Sequence, residues 1–547
     1  MTDTQEYDVL IVGAGFAGIH QLLNIRKLGL TAKILEEGDG LGARTDSEIP
    51  IYQFSNPELW RDWTFTEYFP DWRELQAYFR YVDNKMDISR DVLFNSCVVS
   101  AHWDDSGERW TVSTADGRVL RAQFFILCTG QTSKFHKPDF KGLDTFNGEL
   151  YHTSRWPAEY DLNGKKVGVI GTGASGVQVI QAVAPIVSHL TVFQRTPNFA
   201  LPMRQQTVNA DEDRKAKRDL YPIMFSRRMQ TFSGFYYDVD HKPIADTTPE
   251  ERALMLEDLW AGKGLRFWLG AYAELWSNQK FNDEVYAFWR KKVTERIGPD
   301  PILQEKLAPL NSPHPFGVRR PSLEQGYFEI FSRPNVTLVD VNEAAIEEIL
   351  PTGIRTSDGI EHILDVLVLA TGFDLLTGAF TSIDIRGQDG ISIKEKWADG
   401  VQSYLGVASA TYPNMFWIYG PQSPSALAIA PTAIEFGSDW VTDCIKYMKQ
   451  NNFSSIVPTE EAQHAYSKHV DKLGAAGLWL GAKTSPYMGT NIPGKKTQML
   501  QFSGGFPAYV KLCNDSAAKG YPGFKFKGER CLGKYESNGE FNRALDH

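Results

Sequence analysis

Two glycine-rich turns, each between an apolar strand pattern and a helical pattern, constrain this chain more than any other feature. The first turn follows Tyr7–Val12 and holds Gly13, Gly15 and Gly18. The second follows Lys166–Ile170 and holds Gly171, Gly173, Ser175 and Gly176. The spacing G-x-G-x-x-G between a strand and a helix is typical of a dinucleotide pyrophosphate site. Two copies predict an α/β protein with two Rossmann-like dinucleotide-binding domains.

The residue that closes the next strand differs between the two units. In the first unit the strand Thr31–Leu35 ends at Glu36, where a carboxylate accepts hydrogen bonds from ribose hydroxyls. In the second unit the strand ends at Arg195, followed by Thr196, and a cation there suits a 2′-phosphate. The first site is therefore expected to bind FAD or NAD, and the second NADPH. A solvated basic residue is the alternative interpretation of Arg195.

A Thr-Gly pair follows an apolar strand at two places in the chain. The apolar strands Phe124–Leu127 and Ile363–Ala370 run into Thr129-Gly130 and Thr371-Gly372. A strand that ends in a small Thr-Gly pair brings backbone close to a bound dinucleotide. One such pair is expected in each dinucleotide domain.

Composition and cysteine usage narrow the class of protein. The net charge of −10 argues against nucleic acid as a partner, and no apolar run reaches the ~18 residues that a membrane span needs. The five cysteines are scattered without C-x-x-C spacing, so a disulfide framework, a metal site and a disulfide-reductase mechanism are not expected. They indicate a reduced, cytoplasmic compartment. Two dinucleotides then imply electron transfer from NADPH through a flavin to O2.

The stretch between the two glycine turns contains F-x-G-x-x-x-H-x-x-x-W-P, formed by Phe146, Gly148, His152, Trp156 and Pro157. This pattern resembles the signature of Baeyer–Villiger monooxygenases. The similarity covers nearly the whole chain, in the family's order, through the segments GFAG, HTSRWP, GTGASG, QRTPN, ATGFD, TYPNMF, GPQSPSA and NIPGK. Related monooxygenases that oxidise nitrogen and sulfur end the signature without Trp-Pro. The pair Trp156-Pro157 therefore favours ketone oxygenation, with N- or S-oxidation as the alternative.

The resemblance implies a reaction and its cofactors. NADPH reduces FAD, and O2 adds to give an anionic C4a-peroxyflavin. This peroxide attacks a ketone carbonyl, and migration of a carbon gives an ester or lactone. The 12% aromatic content suits a cyclic or aryl ketone, although core packing also accounts for aromatic residues. The sequence carries no signal of oligomeric state.

The resemblance also implies roles for single residues. In F-G-V-R-R, Arg320 matches the active-site arginine, and Arg319 matches a basic position that contacts the 2′-phosphate beside Arg195. Asp46 matches the carboxylate that orients the active-site arginine. His152 lies in the linker, where it is expected to couple cofactor binding to domain motion more than to transfer a proton directly.

The expected division of the chain follows the order of these signals. Charged clusters at helical spacing after Val208 indicate a helical insertion. Ile49–Phe54 is a possible strand, and residues 98–127 have the pattern of a three-strand meander. The expected units are an FAD domain (1–145), a linker (146–157), an NADP domain (158–207), a helical insertion (208–315), the second NADP part (316–374), and the second FAD part with a closing stretch around Tyr487 and Asn491 (375–547).

Two departures from the family pattern stand out. After Asp39-Gly40-Leu41 the chain continues directly into Gly42, where the family has a flavin-side loop of the form G-G-T-W-Y-W-N-R-Y-P. A natural deletion, a splicing error and an engineered change would each produce this join. The short join predicts weak FAD retention, or NADPH oxidation that releases peroxide, or a flavin-binding protein without turnover. The second departure is Pro486, where the family has a tryptophan.

Overall fold

The computed structural model describes residues 5–42, 47–157 and 159–528. The strands are β1 Gln5–Val12, β2 Ala32–Leu35, β3 Val92–Leu93, β4 Val98–Asp104, β5 Arg109–Thr114, β6 Val119–Leu127, β7 Glu149–His152, β8 Lys166–Ile170, β9 His189–Gln194, β10 Leu201–Pro202, β11 Leu323–Glu324, β12 Val336–Asp340, β13 Ile346–Leu350, β14 Gly353–Thr356, β15 Glu361–Ile363, β16 Val366–Leu369, β17 Asp384–Arg386, β18 Met415–Trp417, β19 Phe453–Pro458 and β20 Phe524–Gly528.

The α-helices are α1 Phe16–Lys27, α2 Pro57–Trp60, α3 Trp72–Met86, α4 Ala174–Val183, α5 Ala210–Asp219, α6 Tyr221–Arg227, α7 Pro249–Ala261, α8 Arg266–Leu269, α9 Gln279–Ile297, α10 Pro301–Leu307, α11 Tyr327–Ile330, α12 Gly378–Ser382, α13 Ile393–Lys396, α14 Ala430–Gln450, α15 Glu460–Ala475 and α16 Phe506–Ala518. Short 3-10 helices occupy Ser89–Asp91, Leu143–Thr145, Arg228–Gln230, Ile244–Asp246, Ala273–Trp276, Leu478–Gly481 and Pro486–Met488.

The first glycine turn lies at the end of a mixed sheet with the order β17-β4-β5-β6-β1-β2-β3, to which β18 adds by pairing with β6. Strand β1 pairs in parallel with β2 and with β6, in registers that align Val12 with Leu35 and with Leu127. Because these three strands end together, their following loops meet at one edge, as in a dinucleotide-binding unit. Strands β4, β5 and β6 form the predicted antiparallel meander.

The second glycine turn lies at the end of a parallel sheet with the order β12-β9-β8-β16-β7. Strand β8 aligns Ile170 with Phe193 of β9 and with Leu369 of β16. The apolar run in β16, which is buried throughout, is the pattern of a strand covered on both faces. Two Rossmann-like units, as predicted, thus bring their glycine turns and their Thr-Gly pairs to the carboxyl ends of parallel strands.

The helices that follow the glycine turns begin earlier than their apolar periodicity indicates. The sequence predicts helices from Ile19 and from Val177, but α1 begins at Phe16 and α4 at Ala174. Gly15 and Gly173 occupy the N-cap positions, so each helix starts inside its glycine motif. The exposed N–H groups of the first helical turn therefore face the nucleotide site.

The predicted strand at Ile49–Phe54 is wrong, because these residues form turns and bends. Ile49, Ile51 and Phe54 are buried in the core cluster that also contains Phe16. Pro50 offers no backbone N–H for a ladder. The alternation of apolar residues here reflects packing of an irregular segment against α1 rather than pairing in a sheet.

The helical insertion lies between β10 and β11, which pair in parallel with Leu201 opposite Leu323. It contains α5 to α10 and joins the main core through aromatic residues: Phe199, just before β10, stacks on Phe316 at 5.6 Å and contacts Trp289 at 4.8 Å between ring centroids. Within residues 5–528, outside the gaps at 43–46 and 158, no helix is long and apolar enough to cross a bilayer.

Candidate functional site

The first glycine turn is built so tightly that side chains cannot be accommodated at two of its positions. Gly13 has φ of +102°, and a Cβ there would lie 2.5 Å from the carbonyl oxygen of Cys128. A Cβ on Gly18 would lie 1.8 Å from the Gly13 carbonyl oxygen. The strand end that carries Thr129 and Gly130 therefore abuts the turn, as the repeated Thr-Gly signal predicts. The backbone forms a close cradle of the kind that a pyrophosphate needs.

The carboxylate of Glu36 is directed at this turn. Its Oε2 accepts a hydrogen bond from the Ala14 N–H at 2.7 Å, and its Oε1 accepts one from the Gly38 N–H at 2.7 Å. Each carboxylate oxygen retains a lone pair for a further donor such as a ribose hydroxyl. Gly13, Gly15, Gly18 and Glu36 thus fit the adenosine half of an unphosphorylated dinucleotide.

The short join after Leu41 lies directly on the first glycine turn. The Gly42 N–H donates to the Ala14 carbonyl oxygen at 3.4 Å, and the Gly42 carbonyl oxygen lies 3.3 Å from the position of a Cβ on Gly15. The backbone at Gly42 therefore packs directly on the first glycine turn. Asp46, predicted to orient Arg320, lies outside the described residues.

The second glycine turn repeats the geometry of the first. Gly171 has φ of +105°, and a Cβ there would lie 2.5 Å from the carbonyl oxygen of Ala370, the residue before Thr371-Gly372. A Cβ on Gly176 would lie 2.2 Å from the Gly171 carbonyl oxygen, whereas Gly173 faces open space. Ser175 is half-buried in the first turn of α4. The N-terminus of this ten-residue helix is a ready anion site.

Beside the second turn lies a cavity of about 440 Å³ with a cationic wall. Arg195 and Thr196 come from the end of β9, and the Thr196 carbonyl oxygen accepts a hydrogen bond from Thr172 Oγ1 at 2.9 Å. Arg319, Lys483 and Thr484 close the opposite side of the cavity. Among the described residues, no carboxylate forms an ion pair with Arg195, Arg319 or Lys483.

Acidic residues also line this cavity, but they have other partners. Glu343 pairs with Lys306 at 2.9 Å, and Glu305 lies 3.9 Å from Arg290. The Asp340 carboxylate accepts hydrogen bonds from the backbone and side-chain N–H groups of Asn342. The net field inside the cavity is therefore positive, which suits a phosphate.

Hydrogen bonds to the protein itself hold the Arg319 guanidinium in place. Its Nε donates to the Thr484 carbonyl oxygen at 2.6 Å, and its terminal nitrogen donates to Thr484 Oγ1. Burial, and then the nearby charge of Arg195, lower the pKa of Arg319 to about 10. Two cations held close together without an intervening carboxylate are the arrangement expected of an anion-binding site.

Arg320, predicted to be the active-site arginine, follows directly and is half-buried. Burial raises the pKa of the Tyr237 and Tyr419 phenols, and the charge of Arg320 acts against both shifts. Among the described residues the Tyr237 hydroxyl has no hydrogen-bond partner although it is buried. The charge of Arg320 thus acts on two phenols, while its neighbour Arg319 lines the cationic cavity.

His152 ends β7 and is buried between aromatic rings, with Phe135 at 4.6 Å and Phe373 at 5.9 Å between ring centroids. Its Nδ1 accepts a hydrogen bond from the Ser154 N–H at 3.2 Å, so Nε2 carries the proton. Burial is the main cause that lowers its pKa, followed by the charge of Arg155. Its predicted role in coupling the two units stays a prediction.

The surroundings of His152 join the two Thr-Gly regions. The His136 N–H donates to the Gly372 carbonyl oxygen at 2.9 Å, and Thr371 Oγ1 donates to the His136 carbonyl oxygen at 2.7 Å. The segment after Thr129-Gly130 is therefore hydrogen-bonded directly to Thr371-Gly372. The two predicted Thr-Gly pairs are thus linked through His136.

The C-terminal segment, defined here as residues 482–496, lies along the same edge. Asn491 Nδ2 donates to the Phe373 carbonyl oxygen at 2.8 Å, and Lys495 Nζ lies 2.8 Å from Asp374 Oδ1. Pro486 begins the 3-10 turn that contains the buried Tyr487, at a position where proline is favoured. The substitution of the family tryptophan is therefore locally compatible with the backbone.

Sequence reasoning did not identify three residues that line the cationic cavity beside Arg195, namely His314, Lys483 and Thr484. His314 is buried, and burial lowers its pKa to about 4, so it stays neutral beside Arg319. The dipeptide Lys483-Thr484 directly precedes Ser485 in the closing stretch, which is the only sequence signal that could have found it. Its partner Arg319 is far away in sequence, so the contact has no local pattern.

Comparison with known proteins agrees with this geometry. The profile of the family "Pyridine nucleotide-disulphide oxidoreductase" matches residues 7–223, which include both glycine turns. In the described chain Cys97, Cys128, Cys444 and Cys513 are all free thiols.

Two curated relatives and one solved structure match over nearly the whole chain. Cyclopentanone 1,2-monooxygenase of Comamonas sp. is 43% identical over 94% of this chain and 95% of the relative. Acetone monooxygenase (methyl acetate-forming) of Gordonia sp. is 38% identical over 95% of this chain and 99% of the relative. The crystal structure of cyclohexanone monooxygenase from Rhodococcus sp. Phi1 bound to NADP+ superposes with a TM-score of 0.91 at 34% identity, over 96% of this chain and 100% of that one. The chain belongs to the Baeyer–Villiger monooxygenase family of flavoprotein oxidoreductases.

Proposed function

We propose that this chain uses NADPH and O2 to insert one oxygen atom between the carbonyl carbon and a neighbouring carbon of a small ketone, giving an ester or lactone. The observation that carries the proposal is the succession Arg319-Arg320. One guanidinium lines a cationic cavity of about 440 Å³, and the charge of the next acts on the phenols of Tyr237 and Tyr419. A site for the reductant and a fixed cation for the reaction are thus adjacent in the chain.

The residues present fit both cofactors. When bound, FAD supplies the redox chemistry, because it takes electrons from NADPH and passes them to O2. Gly13, Gly15 and Gly18, with Glu36, would hold its adenosine and pyrophosphate. The second glycine turn would hold the NADPH pyrophosphate at the N-terminus of α4, and Arg195 and Arg319 would hold its 2′-phosphate.

Arg320 is the residue that we assign to the chemical step. Negative charge develops on the ketone oxygen as its carbonyl carbon is attacked, and a preplaced guanidinium in a water-poor site stabilises that charge. The loss of one such donor typically raises the barrier by about 2.7–4 kcal/mol. A guanidinium cannot lose its proton under ordinary conditions, so the cation persists throughout the cycle.

We propose a cyclic or aryl ketone as the substrate. The support is the pair of phenols, Tyr237 and Tyr419, on which the Arg320 charge acts, since flat rings pack well against aromatic side chains. Relatives named for cyclopentanone and for acetone bracket the size range to be tested. The test is mass spectrometry of products from a panel of cyclic, aryl and short open-chain ketones with NADPH, O2 and FAD. Formation of N-oxides or sulfoxides without any ester would favour N- or S-oxidation instead.

A second candidate function is NADPH oxidation that releases hydrogen peroxide with little product. The observation that favours it is the approach of Gly42 to the first glycine turn, where the family's flavin-side loop is missing. Parallel measurement of NADPH consumed, peroxide released and ester formed separates the two candidates. A product-to-NADPH ratio near one would exclude the uncoupled reaction.

The division of the chain also stays a proposal. The boundaries 1–145, 146–157, 158–207, 208–315, 316–374 and 375–547 are supported by strand membership, since β17 and β18 pair with the first sheet and β12 and β16 with the second. A cytoplasmic location stays a prediction from the scattered cysteines. Limited proteolysis with fragment mapping tests the boundaries.

A further inference from the structure

The 2′-phosphate cavity has a wall that comes from outside the second Rossmann unit. Arg195 and Thr196 belong to β9 and the loop after it, but Lys483 and Thr484 belong to the C-terminal segment. Arg319 bridges the two sides, because its guanidinium reaches across to Thr484. The cavity is therefore complete only when residues 482–496 are docked.

Thr484 constrains the guanidinium of Arg319 at two points. The Thr484 carbonyl oxygen accepts from Nε at 2.6 Å, and Oγ1 accepts from a terminal nitrogen. A planar guanidinium fixed by two acceptors has one orientation. Its remaining N–H groups therefore point away from Thr484. Because no described carboxylate pairs with Arg319, these acceptors set the direction of the free donors.

Lys483 precedes Thr484 and lines the same cavity with an exposed side chain. No described carboxylate forms an ion pair with it. The ammonium is thus available as a third cation beside Arg195 and Arg319. A dianionic 2′-phosphate has enough acceptor oxygens to engage all three groups.

We propose that Lys483 and Thr484 are specificity-determining residues for NADPH over NADH. Lys483 binds the 2′-phosphate directly, and Thr484 is a positioning residue that holds Arg319 in its phosphate-binding orientation. This inference rests on the proposed use of NADPH and extends it to residues of the C-terminal segment. Its consequence is that discrimination between the two reductants depends on a segment remote from the Rossmann fingerprint.

The test is calorimetric titration of the full chain with 2′,5′-ADP and with 5′-AMP, two probes that differ only in the 2′-phosphate and need no flavin. K483Q and T484V are each expected to weaken 2′,5′-ADP binding about tenfold and to leave 5′-AMP unchanged. K483Q should also flatten the salt dependence of 2′,5′-ADP affinity, because one charge contact is lost. K483R and T484S should bind as wild type, since they keep the charge and the hydroxyl.

A matched control is K446Q, which removes an exposed lysine from α14 and should change nothing. If wild type binds the two probes equally, the assignment of NADPH itself is wrong. If wild type prefers 2′,5′-ADP but K483Q and T484V do so equally, only the present inference is overturned. Equal weakening in T484V and T484S would overturn the role of the Thr484 hydroxyl.

Discussion

The carbonyl oxygen of Gly42 lies 3.3 Å from the place where a Cβ on Gly15 would be, so the shortened segment after Leu41 rests on the turn that should receive a pyrophosphate. Carbonyl oxygens repel phosphate oxygens, and the N–H groups of the turn are the groups that a phosphate requires. We therefore expect the Gly42 carbonyl oxygen to weaken, without abolishing, the binding of a pyrophosphate at this turn.

This effect of Gly42 predicts weak retention of FAD. The purified chain should contain less than one FAD per chain, measured by the ratio of absorbance at the flavin and protein bands. Insertion of G-G-T-W-Y-W-N-R-Y-P between Leu41 and Gly42 should tighten FAD binding about tenfold or more, which corresponds to about 1.4 kcal/mol. A glycine-serine insertion of equal length is the control. Stoichiometric FAD in the unaltered chain would contradict this prediction.

The adjacent arginines predict separable kinetic defects. Arg320→Ala should lower the rate of ester formation by a factor of about 100 to 1000, since a fixed charge is lost in the transition state, while NADPH oxidation persists. Arg319→Ala should instead raise KM for NADPH and leave kcat at saturation nearly unchanged. Steady-state kinetics with product quantification distinguishes the two variants. An identical defect in both would show that they act as one unit.

Glu48 predicts a pH dependence of stability. It is 1% exposed, its Oε1 accepts from the Tyr236 hydroxyl at 3.1 Å, and burial raises its pKa from 4.5 to about 7. Below pH 4.5 the carboxyl is protonated whether the chain is folded or unfolded. Between pH 4.5 and 7 only the unfolded chain releases the proton, so stability falls with rising pH, by about 3 kcal/mol in total, and then levels off.

The measurement for Glu48 is the thermal midpoint from pH 4.5 to 8. Relative to wild type, E48Q should gain stability from pH 4.5 to 7 and keep that gain up to pH 8, because glutamine keeps the acceptor oxygen for Tyr236 and never ionises. E347Q, which alters an exposed glutamate, should follow wild type. Parallel pH profiles of wild type and E48Q would show that the buried carboxyl does not titrate in this range.

Two alanine substitutions in the second glycine turn should differ in their effect on stability. Gly171→Ala places a Cβ 2.5 Å from the Ala370 carbonyl oxygen at φ of +105°, which should cost about 2 kcal/mol or more in stability. Gly173→Ala adds a methyl group in open space and should leave the thermal midpoint unchanged. Both should weaken NADP+ binding, the first by distorting the turn and the second by obstructing it. Tight NADP+ binding by Gly173→Ala would place the cofactor elsewhere.

Much of the fold follows from local sequence. The strand, glycine turn and helix recur twice, and the strand-end residues Glu36 and Arg195 lie in the structure where their units predict. The helix starts were missed because Gly15 and Gly173 cap helices that apolar periodicity places later. The segment Ile49–Phe54 was misjudged because burial in an irregular segment produces the same alternation as a strand.

The site was less accessible to prediction than the fold. The contact between Arg319 and Thr484 joins residues far apart in sequence, and neither has a spacing pattern that relates it to the other. The same is true of Glu48 and Tyr236. Such pairs depend on how separate units pack, which is decided by shape and burial over the whole molecule rather than by the periodicity of one element.

The pairing of Leu201 with Leu323 brings the entry and exit of the helical insertion side by side. The segment between these two leucines can be lengthened, shortened or replaced without moving the parallel sheet, whose strands come before and after it in the chain. The insertion also supplies Tyr237, whose pKa the charge of Arg320 lowers against the effect of burial. The segment between the two leucines is therefore exchangeable in principle, and a chimera that takes residues 208–297 from a relative should inherit the relative's ketone preference, while the cavity residues Glu305, Lys306 and His314 stay those of this chain.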